Sequence, residues 1–106
     1  MGAAIVRVPA RARVGEVIEV SAMVAHPMET GFRTGDGGQV VPRNIVTTFS
    51  CRYDGVEVFR ADLFPSVTAN PYIAFTTVAT RSGTFSFRWI DDTGAVVTET
   101  ASIVVE

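Results

Sequence analysis

One histidine, one cysteine, three methionines and an adjacent pair of aspartates are the residues here with the most chemistry to offer. A Ser-His-Asp relay built on His26 would need an activated serine, and the sequence has no G-x-S-x-G elbow. Asp91 and Asp92 are neighbours, so on a strand or turn their carboxylates diverge, which suits a solvated turn better than paired acid–base work. The run Gly35-Asp36-Gly37-Gly38 does not lie between a strand and a helix, as a phosphate-binding loop must. A blue-copper centre asks for two His, one Cys and usually Met. His26, Cys51 and Met28 are present but the second His is not, which leaves at most a Cu(I) site from His26, Met28 and Met23. Cys51 falls in phase with Ile45 and Phe49, with no basic residue on its face to lower its pKa, and reads as a buried structural thiol. These residues point away from an enzyme: the reading assigns no catalytic residue, no metal and no cofactor.

The elements that would position such residues are strands. Of 106 residues, 17 are Val, 12 Thr and 6 Ile, while there is one Leu, Leu63, and no Lys. β-Branched residues suit a pleated, half-buried surface, and Leu and Lys are better helix formers. At 47% hydrophobic and 19% charged, with a net charge of −2, the chain is neither disordered nor a charge-driven nucleic-acid binder. No apolar stretch approaches the ~20 residues of a membrane-spanning helix, and no signal-peptide pattern is visible, so the chain by itself reads as cytoplasmic.

Turn signals recur about every ten residues, as in a sandwich of short strands. The spacing predicts strands at 4–8, 16–25, 44–53, 56–63, 72–79, 84–90 and 95–105, with an Asp54-Gly55 hairpin turn between the third and fourth. On the third, Ile45, Thr47, Phe49, Cys51 and Tyr53 share one face. Phe85, Phe87 and Trp89 form a period-two aromatic stripe that reads as core. The expectation is a single domain over residues 1–106: an all-β, immunoglobulin-like antiparallel β-sandwich of about seven strands.

The longest irregular stretch runs from His26 to Arg43, too long for a tight hairpin. Its glycine-rich centre reads as a tip and its flanks as ordered. Met28 and Phe32 are large apolar side chains in a loop, where burial is hard, so a partner surface would cover them. His26, Glu29 and Arg43 add polar contacts, which makes His26, Met28, Glu29, Phe32 and Arg43 the candidate partner-recognition residues. The competing reading is that Met28 and Phe32 fold back and plug the end of the sandwich. The His26-Pro27 bond, cis or merely restricted, ends the preceding strand.

Several segments together resemble a known family. HPMETG at His26–Gly31 is followed by PRNIV, FSCRYDG, EVFRADL, ANPY at Ala69–Tyr72 and SGTFSFRWIDDTG at Ser82–Gly94. In this order and spacing they resemble the SoxZ family of bacterial sulfur (thiosulfate) oxidation. The resemblance implies an immunoglobulin-like, non-catalytic subunit paired with SoxY, whose cysteine near its C-terminus, in a Gly-rich arm, carries covalent sulfur intermediates. It implies transient contacts with other Sox enzymes and no nucleic-acid or membrane partner. It also implies a periplasmic location reached by co-export with SoxY, which carries the signal. This chain ends in a strand-like Ser102–Glu106 segment without a Gly-Gly-Cys-Gly-Gly tail, so it reads as the Z subunit rather than the Y subunit or a fusion. A high surface-to-volume ratio with an apolar surplus independently favours a partner. A free-standing immunoglobulin-like adaptor for another carrier is the alternative, and the copper module the more distant one.

Overall fold

The computed structural model describes all 106 residues. Eight strands follow in order: β1 Ala4–Arg7, β2 Arg11–Ala12, β3 Val17–Val24, β4 Val46–Tyr53, β5 Val56–Asp62, β6 Tyr72–Val78, β7 Gly83–Asp91 and β8 Val96–Val105. They form an immunoglobulin-like sandwich of a three-stranded sheet, β1-β3-β6, against a five-stranded sheet, β2-β8-β7-β4-β5. The β5–β6 connection, with Pro65 and Pro71, carries the chain from one sheet to the other.

Two features depart from the sequence-based expectation. The seven expected strands all form, but an eighth, β2, pairs with the end of β8 and does so in parallel, so the sandwich is not purely antiparallel. In β4 the register slips between Val46 and Thr48, opposite β7. Thr47 is therefore the extra residue of a bulge and drops out of the inward phase, while Val46 is buried beside Ile45. The Thr47 hydroxyl instead donates to the Ile90 carbonyl, 3.2 Å away.

Side chains meeting between the sheets make the core. Trp89, Phe49, Phe85 and Phe87 are its largest fully buried members. Phe49 and Trp89 lie with ring centroids 5.3 Å apart, and Phe59 of β5 stacks on Phe75 of β6 at 4.5 Å, joining the sheets near their edges. Burying such rings is the main favourable contribution to a domain of this size.

The end of the sandwich holding the Asp54-Gly55 turn is locked by polar contacts. The Tyr53 hydroxyl donates to the Arg81 carbonyl and accepts from the Arg81 N–H at 3.1 Å. Asp54 accepts from the Thr84 N–H at 2.8 Å and from Arg81 Nε at 3.0 Å. Gly83 leaves room for this carboxylate: a Cβ there would push Asp54 off the Thr84 N–H and Arg81.

The opposite end carries a projection. The chain extends 58 × 19 × 18 Å with a radius of gyration of 16.1 Å. A compact domain of this length has a radius near ~13 Å, and a ten-residue strand spans only ~33 Å. The remaining length is the segment between β3 and β4, an irregular hairpin standing off the sandwich.

Candidate functional site

The β3–β4 segment pairs with itself twice. Glu29 bridges Asn44 with backbone bonds of 2.8 and 2.9 Å, and further out Thr34 bridges Val40. The Gly35 N–H donates to Gln39 O at 2.8 Å and the Gly38 N–H to Gly35 O at 3.0 Å, so the glycine-rich run is a tight tip. Gly31 sits at φ +88° directly against Arg43, where a Cβ would come 3.0 Å from Arg43 Cβ, so the two arms approach as closely as glycine permits.

The base of this hairpin is a buried polar knot. His26 is 2% exposed and Asp91 4%. The Met28 N–H donates to His26 Nδ1 at 3.0 Å, so that nitrogen is an acceptor and Nε2 carries the proton. Nε2 then faces Asp91 Oδ2 at 3.2 Å and donates to it. The Asp91 Oδ1 accepts from the Thr93 hydroxyl at 2.6 Å and from the Thr93 and Ala95 N–H groups at 2.9 and 3.1 Å. Burial pushes the Asp91 carboxyl up, but these bonds from Thr93 and Ala95, with that from His26, together hold it below its ordinary value. Asn70 clamps the backbone: its Oδ1 accepts from the His26 N–H at 3.0 Å and its N–H donates to His26 O at 2.8 Å.

Asp92 ties the far arm of the hairpin to the same point. It accepts from Arg43 Nε at 2.9 Å and from the Ile45 N–H at 3.1 Å. The Arg43 guanidinium holds the Asp92 carboxyl low against an opposing effect of burial. Three segments far apart in sequence, HPMETG, ANPY and WIDDTG, thus meet at one place through His26, Asn70 and the two aspartates. The single buried side-chain polar atom without a partner, Asn44 Oδ1, also lies at this base.

These contacts correct part of the recognition site expected from sequence. His26 and Met28 are not on the surface. Met28 is 5% exposed and adopts φ +53°, and its Sδ lies 3.2 Å from the Val46 nitrogen, where it accepts the N–H. The left-handed backbone at Met28, with the His26 Nδ1 contact, turns the side chain into the core. Both residues plug the end of the sandwich, and the His26-Pro27 bond between them is trans. Phe32 does not fold back with them: it is 86% exposed. Glu29 and Arg33 form an i,i+4 pair on the hairpin at 2.7 Å, in which the Arg33 hydrogen bond holds the Glu29 carboxyl below its usual range. Arg43 is exposed but committed to Asp92. Glu29, Phe32 and Arg43 are therefore the members of the expected set that a partner can reach. Val40, exposed on the opposite arm, was not singled out from sequence because a lone Val in a loop carries no signal.

Cys51 is fully buried, and desolvation pushes its thiol up to about 12, so at neutral pH it is neither thiolate nor accessible. The Cu(I) set does not assemble: Met23 lies on the outer face of the three-stranded sheet, in register with Ile5 and Tyr72, while Met28 is inside. Both His26 ring nitrogens are already engaged within the chain. No group of three or more His, Cys, Asp or Glu side chains gathers where an ion would be held.

Comparison with solved structures finds the same sandwich in proteins of distant sequence. A superoxide reductase (neelaredoxin) from Ignicoccus hospitalis, in a single-substitution variant, superposes with a TM-score of 0.77 at 17% identity, covering 99% of this chain and 81% of that one. SoxY, a sulfur carrier protein from Chlorobium limicola f thiosulfatophilum, superposes at 0.69 with 12% identity, covering 97% of this chain and 78% of that one. A putative superoxide reductase from Thermotoga maritima superposes at 0.68 with 14% identity, covering 97% and 85%. At these identities the likeness is one of fold. A search of curated proteins gives no match. The family model described as sulphur oxidation protein SoxZ matches residues 6–102, a span that takes in the hairpin and all three segments of the buried knot, and the chain belongs to the SoxZ family.

Proposed function

We propose that this chain is the non-catalytic partner of SoxY in a sulfur-carrier complex, and that it recognises SoxY through the tip of the β3–β4 hairpin. The observation that carries this reading is the contrast along the hairpin: a base fixed by buried bonds presents Phe32, 86% exposed, at a defined position away from the sandwich. A large aromatic on a preorganised arm costs little ordering entropy on binding and is a common anchor of an interface. Glu29, Arg33 and Val40 surround it with charge and further apolar surface. The groups with chemistry favour a supporting role: His26 and Asp91 satisfy each other, and the Cys51 thiol is buried. In this reading the carrier cysteine is SoxY's, and the pair works in the periplasm after co-export.

Co-expression with SoxY followed by co-purification and titration calorimetry tests the reading. A stable complex that Phe32→Ala weakens supports it. No complex at micromolar concentrations would leave a free-standing adaptor as the better account. A second surface is the specific rival. Ile5, Met23 and Tyr72 form one cross-strand row on the outer face of the three-stranded sheet, and Val17 pairs with Val78 further along the same face. Should Ile5→Ser with Tyr72→Ser abolish pairing while Phe32→Ala does not, SoxY sits on that face and not on the hairpin.

A further inference from the structure

The outer face of the five-stranded sheet holds a depression of about 230 Å³ between β4, β5, β7 and β8. Its lining is polar apart from Phe87 and Ile90. Cross-strand register sets Ser50 between Arg60 on one side and Arg88 on the other, and Arg88 next to Thr98. In the next row Arg52 is paired with Ser86, which is paired with Thr100. Strands are ~4.8 Å apart, so Arg60 and Arg88 start about 10 Å from each other, and their long side chains can converge above Ser50. Arg52, Arg60 and Arg88 thus line one depression with the hydroxyl residues of β4, β7 and β8, and with two carboxylates, Glu57 and Glu99.

The arginine charges there are only partly neutralised by ion pairs. Arg11, Arg33, Arg43 and Arg81 each hold a carboxylate at 2.7 to 3.0 Å. Arg60 is only loosely bridged to Glu57, at 3.7 Å. Arg52, whose register partner on β5 is Glu57, and Arg88 have no carboxylate within ion-pair distance; outside the depression the same holds for Arg7 and Arg13, but these do not gather with other arginines in its lining. The other carboxylate at the rim, Glu99, takes the Thr100 N–H at 3.1 Å. Asp62 lies one row further along β5, in register with Thr48. Three guanidinium groups over hydroxyl donors are suited to a tetrahedral oxyanion, which accepts bidentate bonds from planar forks and single bonds from hydroxyls.

We propose that this depression is a binding site for a sulfur oxyanion, either free (sulfate or thiosulfate) or as the terminal sulfonate of a thiol adduct. Membership of the SoxZ family selects sulfur oxyanions over others; the site does not depend on pairing with SoxY. The test is an NMR titration of the free chain, at constant ionic strength, with sodium sulfate, sodium thiosulfate and S-sulfoglutathione against a sodium chloride control. Saturable shifts confined to the amides around Ser50, Ser86, Arg88 and Thr98 are expected. Arg88→Gln and Arg52→Gln should each weaken binding by about fivefold or more, and Arg13→Gln, far from the depression, should not. Tighter binding of S-sulfoglutathione assigns the site to a thiol-bound sulfonate, and tighter binding of the inorganic ions assigns it to the free anion. Shifts that never saturate, that spread over the chain, or that survive both arginine substitutions in a folded protein overturn the proposal.

Discussion

Between His26 and Phe32 the chain passes from 2% to 86% exposure, and the same hairpin changes its physical character. At its base, side chains are used to hold the chain: His26 binds Asp91 and Met28, Asp92 binds Arg43 and Ile45, and Asn70 binds the His26 backbone. At its tip, Phe32 and Val40 face outward and the backbone bonds are local. The segments that mark the family in sequence are mostly those of the base. The residue types best suited to chemistry, His26, Asp91 and Met28, are therefore architectural here, and the proposed contact surface is made of the exposed neighbours they hold in place.

The strongest way to break this division is at the buried pair. Asp91→Ala leaves the His26 Nε2–H and the Thr93 and Ala95 N–H groups without their acceptor, and should cost about 3 kcal/mol in chemical denaturation, in the range for leaving buried donors unsatisfied. A loss under about 0.5 kcal/mol would mean that the knot is not what fixes the hairpin. Met28→Ala removes a buried side chain and the acceptor of the Val46 N–H, and should cost about 2–3 kcal/mol while the folded protein still binds SoxY normally. Binding loss without melting loss would return Met28 to the recognition surface. Phe32→Ala should do the opposite: stability unchanged within ~0.5 kcal/mol, affinity for SoxY down about tenfold, which is ~1.4 kcal/mol.

Titration sharpens the same contrast. Asp91 and Asp92 are held low in the folded chain, so their contribution is present above the unfolded carboxylate range, near ~3.9, and is lost as pH falls through their folded values. Asp92→Asn should flatten the acid limb of the stability curve, measured by urea midpoints against pH. Cys51 acts at the other limb with the opposite sign. Its folded value is raised to about 12, so stability is full below the unfolded thiol value and falls as pH rises toward the folded one. Cys51→Ala should remove that alkaline slope while leaving a small cavity. An unchanged slope would place the thiol in contact with water.

Most of the sandwich is legible because period-two alternation survives over much of the long strands, most fully in β7, where Phe85, Phe87 and Trp89 are buried as their spacing implies. β2 is not, since two residues carry no period and their partners, Val104 and Val105, lie at the far end of the sequence. The bulge at Thr47 was invisible because Ile45-Val46-Thr47 fits either phase. His26 and Met28 were misplaced for a related reason. The partners that draw them inward, Asp91 and Val46, are distant in sequence, and the positive φ of Met28 follows from that packing rather than from residue type. Phe32 was legible as an apolar loop residue, but which way it faced depended on the hairpin standing clear of the sandwich.

The most direct test of recognition through the hairpin tip is amide hydrogen exchange of this chain with and without saturating SoxY. Slowed exchange is expected to concentrate in Thr30–Val41, with the base amides of Met28 and Ile45 already protected in the free chain and unchanged on binding. Protection confined to β1, β3 and β6, with the hairpin tip exchanging as fast as before, would contradict it.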